Sequence, residues 1–391
     1  VTKLADVATI VDCEHKTAPI SENGSYFAVG TPAMRGNVID FSEARPIDRD
    51  TFDAWTRRLR PNAGDILFAR EAPVGPAVRI PQSENVAPGQ RTVLIRAEAA
   101  QVDSRYLYYK IVSPQFQAAV EAVSAGSTVP HLNVADVRSM DLGELPTMAE
   151  QVAIGEVLDA LDDKIAANRD LRATLRLMTT ALVQAASGET ESHALASVCS
   201  TITRGIAPKY ADGGLRVINQ KCVRNGAVDL SQARWSSSVP KSDEKLLVDA
   251  DVLINSTGQG TLGRVGRWIG YGELATVDSH VSIVRVDPDL ADPTFVGAVL
   301  LELEKQVEDL AEGSTGQTEL RRDHLAALQL RLPDLAIQRA TGDRIRVMDN
   351  RSNLARDENF ILARARDELL PLLMSGRITV KDAERAAEDV L

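Results

Sequence analysis

Two short stretches carry residue types that could do chemistry. Gly258-Gln-Gly260-Thr-Leu-Gly263 spells GxGxxG directly after the apolar run Val252-Leu253-Ile254, the pattern of a dinucleotide-binding turn. Such a site needs a helix to open on the last glycine, so that its amide dipoles meet a pyrophosphate. Here Arg264-Val-Gly-Arg-Trp-Ile-Gly270 alternates like a strand and adds two more glycines, so turn glycines are the preferred reading. The same segment misses a P-loop, because Arg264 and Val265 stand where Lys and Ser or Thr are required. Cys13-Glu14-His15 is the second stretch, and it has no further metal ligands or nucleophile partners close in sequence. The remaining histidines (131, 193, 280 and 324) and cysteines (199 and 222) are scattered, with no HExxH, GxSxG or CxxC. We therefore expect no catalytic residues, no metal site and no disulfide framework.

What the sequence does offer is donor-rich loops. Arginine presents a planar fork suited to guanine and phosphate, glutamine suits adenine, and serine or threonine can serve either bases or phosphates. In the first half the candidates are Lys16, Arg35, Arg70, Gln90 and Arg91. In the second half they are Arg204, Lys209, Tyr210, Gln220, Lys221, Ser256, Thr257, Gln259, Gln317, Arg321 and Arg322. The plain alternative for each is a solvated loop side chain, and for Arg57, Arg58 and Arg60 a surface salt-bridge network.

The elements that must position these loops occur twice. Leu4 in KLADVATI matches Leu195 in ALASVCSTI, and Arg35–Phe41 (RGNVIDF) matches Arg224–Leu230 (RNGAVDL), with Asp40 on Asp229. Gly64-Asp65-Ile66-Leu67-Phe68 then matches Ala250-Asp251-Val252-Leu253-Ile254. Arg91-Thr-Val-Leu-Ile-Arg96 matches His280-Val-Ser-Ile-Val-Arg285, and Ser124–Thr128 matches Ser314–Thr318. Collinear blocks in one order mean duplicated domains. Short β-branched runs bounded by Gly, Pro, Asn and Asp, with helical stretches at Ser104–Val112 and Pro293–Glu312, make each copy α/β.

A long helical segment closes each repeat, one from Thr147 to Ala186 after Pro146 and one from Leu335 to Met374 after Pro333. The two share Gln151/Gln338, Gly155/Gly342, Asp162/Asp349 and Arg169/Arg356. In the first, Ile154, Leu161, Asn168, Leu175 and Leu182 fall seven apart, with Val157, Leu158, Ile165, Leu171 and Met178 between them, which is a coiled-coil seam with Asn168 as the register-fixing polar residue. The second has Met348, Ala355, Leu362 and Leu369 seven apart, flanked by Ile345, Leu354, Ile361 and Leu373. One helix cannot bury its own stripe, so the expectation is an antiparallel pair of rods about 60 Å long. Pro371 puts the straightness of the second rod in question.

The expected organisation is thus domain 1 at 1–145, a spacer helix at 146–188, domain 2 at 189–332, a second helix at 333–378 and a tail at 379–391. The 391 residues suffice for such domains, and 44% hydrophobic with 25% charged residues is ordinary globular composition. The net charge of −11 argues mildly against nucleic acid. However, 34 of the 44 basic residues are arginine, and local field outweighs net charge. No apolar run approaches the length of about 18 residues that spans a membrane, and the start lacks a signal-peptide layout, so cytoplasm is expected.

Three stretches resemble the specificity subunit of type I restriction-modification enzymes. They are Gly126-Ser-Thr-Val-Pro-His-Leu132 leading to Pro146; Glu150-Gln151 through Leu161-Asp162-Asp163-Lys164-Ile165 to Asn168-Arg169; and Glu368-Leu-Leu-Pro371-Leu-Leu-Met-Ser-Gly376-Arg-Ile378. The resemblance implies two target-recognition domains that each bind half of a split, asymmetric DNA sequence, with the paired helices as ruler. It also implies docking of two adenine methyltransferase subunits and a translocating restriction subunit in the cytoplasm of a bacterium or archaeon, as a phage defence. Catalysis would belong to those partners. No NPP[FYW] string occurs, so S-adenosylmethionine is expected only on the methyltransferase. The second helix departs from the pattern, with Ile337-Gln338 in place of Glu150-Gln151. Two rival readings are a coiled-coil scaffold that binds no DNA, favoured by the acidic balance, and a dinucleotide-dependent enzyme using Gly258–Gly263.

Overall fold

The computed structural model describes residues 1–81, 85–125, 130–188, 190–311, 318–388 and 390. The chain divides into two compact units, one formed by Val1–Ala167 with Glu358–Leu391 and one by Asn168–Asp357.

In the first unit, strands Ala8–Asp12, Thr92–Ala97, Ile66–Arg70 and Val74–Arg79 lie side by side in that order, all antiparallel. Alternate residues of a strand face opposite sides of the sheet, and here both sides are covered. Ile66, Phe68, Val93 and Ile95 pack with Tyr106, Leu107 and Phe116 of helices Ser104–Val112 and Pro114–Ser124. Leu67, Ala69, Val78 and Leu94 pack with Val29 and Met34. A smaller sheet has Tyr26–Val29 at its centre, antiparallel to Arg45–Ile47 and parallel to Val86–Pro88.

The second unit repeats this plan. Its main sheet runs Cys199–Arg204, Val281–Val286, Asp251–Asn255, Val265–Trp268, again antiparallel throughout. In its smaller sheet Leu215–Ile218 is antiparallel to Arg234–Ser236 and parallel to Ala275–Val277. The matched sequence blocks meet through the same ion pair. Arg96 closes on Asp65 at 2.6 Å and Arg285 on Asp251 at 2.7 Å, each arginine also donating to a backbone carbonyl, of Arg60 and Leu246 respectively. The helical stretch expected at Pro293–Glu312 forms as two pieces, Pro293–Glu302 and Glu304–Asp309.

The long helices run Met148–Ser187 and Leu335–Met374, and each contributes one half to each unit. Thr147 and Glu150 form a reciprocal cap at the first, which satisfies amides that have no partner within the helix. Within each unit the two halves run antiparallel. In the first, Arg366 pairs with Asp162 at 2.7 Å and Lys164 with Glu358 at 3.3 Å. In the second, Thr179 donates to the Met348 sulfur at 3.7 Å.

Of the expected seam, Ile154, Leu161, Asn168, Leu362 and Leu369 are buried, while Leu175, Leu182 and Met348 are half-buried. Three flanking residues are corrected: Met178, Leu354 and Ile361 are exposed. Leu354 and Ile361 precede the buried Ala355 and Leu362 by one residue, about 100° around the helix, which carries them out of the seam. Pro371 does not stop the second helix, which continues to Met374 and ends at Gly376 with φ +67°. The tail also folds: Val380–Glu388 is a helix whose Ala383 and Ala387 are buried in the first unit's core.

Three matched pairs of residues explain why the starts of the long helices are the best-matched part of the repeats. The Gln151 side chain accepts from the Asp103 amide at 2.9 Å and donates to the Pro146 carbonyl at 2.9 Å. Gln338 does the same with Asp292 and Pro333, at 3.1 and 2.7 Å. Asp103 and Asp292 in turn cap helices Ser104–Val112 and Pro293–Glu302. Gly155 and Gly342 let these caps approach, since a Cβ would lie 2.9 Å from Arg105 Cβ in one case and collide with the Asp292 carboxylate in the other. A buried side chain with every hydrogen bond satisfied tolerates few replacements.

Candidate nucleic-acid interface

At the end of each main sheet the same backbone frame recurs. In the first unit the amide of Arg70 donates to the Arg91 carbonyl and the amide of Leu132 to the Arg70 carbonyl, both at 2.9 Å. In the second, Ser256 donates to His280 and Leu320 to Ser256, both at 2.8 Å. An isolated antiparallel bridge follows in each, Glu71 to His131 and Thr257 to Glu319. Position for position, Arg70, Glu71, Arg91 and His131 are replaced by Ser256, Thr257, His280 and Glu319. The contact across the frame is kept while its chemistry changes. Arg91 meets Glu71 at 3.4 Å, whereas His280 Nδ1 lies 2.7 Å from the Thr257 hydroxyl.

Beneath this rim an arginine holds the last loop in both units, from different strands. Arg70 donates to the Leu132 carbonyl at 2.9 Å and pairs with Asp12 at 3.0 Å. In the second unit Arg204 stands opposite Ser282 as Asp12 stands opposite Val93, so Arg204 replaces Asp12. It donates to the Leu320 carbonyl at 2.7 Å and pairs with Glu319. Both guanidiniums are therefore engaged within the protein. We take Arg70 and Arg204 as positioning groups rather than base readers, a correction to the sequence expectation.

Ser256 is corrected as well. It is fully buried, and its hydroxyl is 2.6 Å from that of Ser282. Gln220 is half-buried, with its side-chain oxygen enclosed and without a hydrogen-bond partner beside Gly258. Lys16, Arg35, Gln90, Arg91, Lys209, Lys221, Gln259, Arg321 and Arg322 are exposed, and Thr257 is half-buried. Arg321 forms a bidentate contact with Asp323, at 2.7 and 3.1 Å. Gln317 lies outside the described residues, as do most of the matched 124–128 and 314–318 blocks.

A cleft of about 210 Å³ in the first unit gathers Gln90 and Arg91 with Thr17, Thr31, Glu43 and Arg45. Thr17 donates to the Gln90 side chain at 3.1 Å. In the second unit the exposed Tyr210 carries Arg234 over its ring at 4.3 Å, and Arg216 lies over Trp235 at 4.2 Å. Sequence reasoning missed Thr17, Thr31, Arg45, Arg216, Arg234, Trp235 and His280. The duplication held the signal for His280, which begins the block matched to Arg91. The others lie on short strands and loops that have no periodic pattern.

The remaining sequence candidates resolve simply. Gly258–Gly263 is the turn between antiparallel strands Asp251–Asn255 and Val265–Trp268. Its three glycines have φ of +109°, +72° and +81°, and a Cβ at Gly263 would come 2.6 Å from Glu308 Cα. No helix opens on the last glycine, so the dinucleotide reading is withdrawn. Arg57 pairs with Glu14 at 2.8 Å and Arg60 with Asp53 at 3.6 Å, the surface-network reading. His15 pairs with Asp12 at 3.0 Å, and Cys13 is buried. Among the described residues no cluster could hold a metal ion, and no helix is long and apolar enough to cross a membrane.

The geometry defines a duplicated α/β scaffold on paired long helices, with two differently dressed rims. Residues 1–177 match the family model of the type I restriction modification DNA specificity domain. Among solved structures, the S subunit of a type I restriction-modification system from M. genitalium is 16% identical, with 95% of each chain covered and a TM-score of 0.58. This likeness shows the fold. The HsdS subunit from Thermoanaerobacter tengcongensis is 18% identical over 96% of each chain, with a TM-score of 0.35. No curated protein matches the sequence.

Proposed function

We propose that the chain is the DNA-reading specificity subunit of a type I restriction-modification system, with each unit reading one half of a bipartite, asymmetric target. The observation that carries this reading is the pair of rims: one backbone frame presented twice with its side chains exchanged, Glu71, Arg91 and His131 against Thr257, His280 and Glu319. Two copies of one reader with identical rims would favour a symmetric site. Different donors and acceptors on the same frame suit two different half-sites. The alternative of a scaffold that binds no DNA gives no reason for a frame kept and re-dressed in this way.

In this reading the long helices set the gap between half-sites and dock two methyltransferase subunits, and Val347 and Leu354, exposed at seven-residue spacing on the second unit's helix, suit such a docking face. A restriction and translocation subunit would complete the assembly. The chain itself performs no chemistry, and S-adenosylmethionine sits on the methyltransferase. The protein works in the cytoplasm at the nucleoid.

Footprinting with the reconstituted methyltransferase complex, on a target found by mapping methylated adenines, tests this. Protection of two short tracts separated by an unprotected spacer is expected, with affinity falling steeply as salt rises. Absence of protection on any split site, or binding insensitive to salt, overturns it.

A further inference from the structure

The second unit contains a cavity of about 360 Å³ between its long-helix halves and its main sheet. The equivalent place in the first unit is filled. Equivalence rests on two anchors. Asp103 and Asp292 cap their helices and are bound by Gln151 and Gln338, which sets Tyr108 against Gly297 and Tyr109 against Ala298. Arg79 pairs opposite Ile66 as Arg267 pairs opposite Val252.

In the first unit Tyr109 is 1% exposed, with its hydroxyl 2.8 Å from both Asp159 and Asp162. Arg79 pairs with Asp159 at 2.8 Å and Arg366 with Asp162 at 2.7 Å. Two carboxylates, two guanidiniums and a phenol thus satisfy one another in a closed plug.

The second unit has lost the plug. Ala298 removes the phenol, Thr179 stands for Arg366, and Arg346 stands for Asp159 and turns to Asp292. What it has gained is cationic. Arg172 and Arg176, one helical turn apart, replace Asn359 and Ala363 and line the cavity. The cavity's carboxylates are engaged, Asp349 by Arg267 at 2.5 and 2.9 Å and Glu302 by the Thr180 hydroxyl at 2.5 Å. The Nε atoms of Arg172 and Arg267 are enclosed without a hydrogen-bond partner. Burial, and then the neighbouring charge of Arg356, hold Arg172 below the usual guanidinium range, as expected of a cation that lacks its anion. Leu175, Leu301 and Met348 add an apolar wall.

We propose that this cavity binds a small phosphate monoester, its phosphate held by the forks of Arg172 and Arg176 and its body in the space a tyrosine ring occupies in the first unit. Two arginine forks on one helix face suit a tetrahedral oxyanion, and the volume lies within the range of small-ligand pockets. The site needs neither DNA nor a partner, so it stands or falls apart from the specificity reading.

Phenyl phosphate is the probe, titrated into the full-length chain by calorimetry, with inorganic phosphate, phenol and a short DNA duplex as controls. Saturable binding of phenyl phosphate is expected, with inorganic phosphate and phenol each at least about tenfold weaker, because each lacks half of the recognition. Arg172→Met should weaken binding about tenfold or more. Ala298→Tyr, which puts a ring back into that space, should abolish it. Should Ala298→Tyr fail to fold, Arg172→Met and Arg176→Met carry the test. No saturable binding, equal binding by the arginine variants, or displacement by the DNA duplex, which would make the arginines backbone contacts, overturns the proposal.

Discussion

The two units agree most where buried polar groups lock the backbone and differ most where side chains face a cavity or solvent. Asp65–Arg96 and Asp251–Arg285, Gln151–Asp103 and Gln338–Asp292, and Gly155 and Gly342 recur at equivalent places. The rim residues and the plug around Tyr109 do not recur. A buried carboxylate without its partner costs several kcal/mol, so such pairs resist change, whereas an exposed loop residue changes at almost no cost to folding. One scaffold can therefore carry two different surfaces.

The largest test of this contrast removes a shared lock. Arg285→Met strands Asp251, which is 1% exposed, and should destabilise the second unit by about 3–5 kcal/mol. Arg96→Met should do the same to the first unit toward the lower end of that range, because Arg96 is the more exposed of the two arginines. Urea unfolding followed at Trp55 for the first unit, and at Trp235 and Trp268 for the second, reads the two separately. If either variant unfolds like the parent, the shared pair is not what fixes the scaffold.

Next come the helix-start glycines. Gly342→Ala drives a methyl into the capping carboxylate of Asp292 and should cost about 2 kcal/mol. Gly155→Ala meets Arg105 Cβ at 2.9 Å and should cost about 1 kcal/mol. Equal costs would mean that the two junctions yield alike. At the rims, Arg91→Ala and His280→Ala should each lose about 1–2 kcal/mol of discrimination, and each in one half-site only. A competition assay with single-base changes in either half decides it, and loss in both halves would break the two-reader picture.

Asn168 sits buried on the helix seam. Asn168→Leu should stabilise the helix pair by about 1 kcal/mol while permitting higher oligomers, visible by light scattering. Unchanged assembly would retire its register role. The smallest effect concerns the thiols. Burial pushes Cys199 up to about 12 and Cys222 up to about 11. Both should stay protonated at pH 8, and iodoacetamide should label the fully buried Cys222 no faster than unfolding exposes it. Rapid labelling of Cys222 would mean that the second unit's core opens more readily than its packing implies.

Much of the fold was legible because duplication and periodicity are properties of residue order alone. The Asp65 and Asp251 blocks, the helix at Ser104–Val112 and the seven-residue spacing of Ile154, Leu161 and Asn168 all appear in the structure where residue order implied them. The seam's flanks were less legible. Leu354 and Ile361 are apolar, yet their rotation about the helix turns them to solvent, and composition cannot distinguish a second outward stripe from the inner one. The tail carries no long apolar stripe, but alanines spaced four apart seat its helix on a core that other segments create.

The candidate interface was half legible. Residue type marked Arg70, Arg204 and Ser256 as donors that could meet a base, and only tertiary contacts show two of them holding a loop carbonyl and the third sealed inside. The order of residues, then, determined that there are two copies of one α/β unit and two long helices with apolar stripes, since repetition and periodicity are local. Tertiary structure decided which polar groups are free to meet a partner, and that an alanine in place of a tyrosine leaves an arginine-lined space, because burial depends on neighbours distant in the chain.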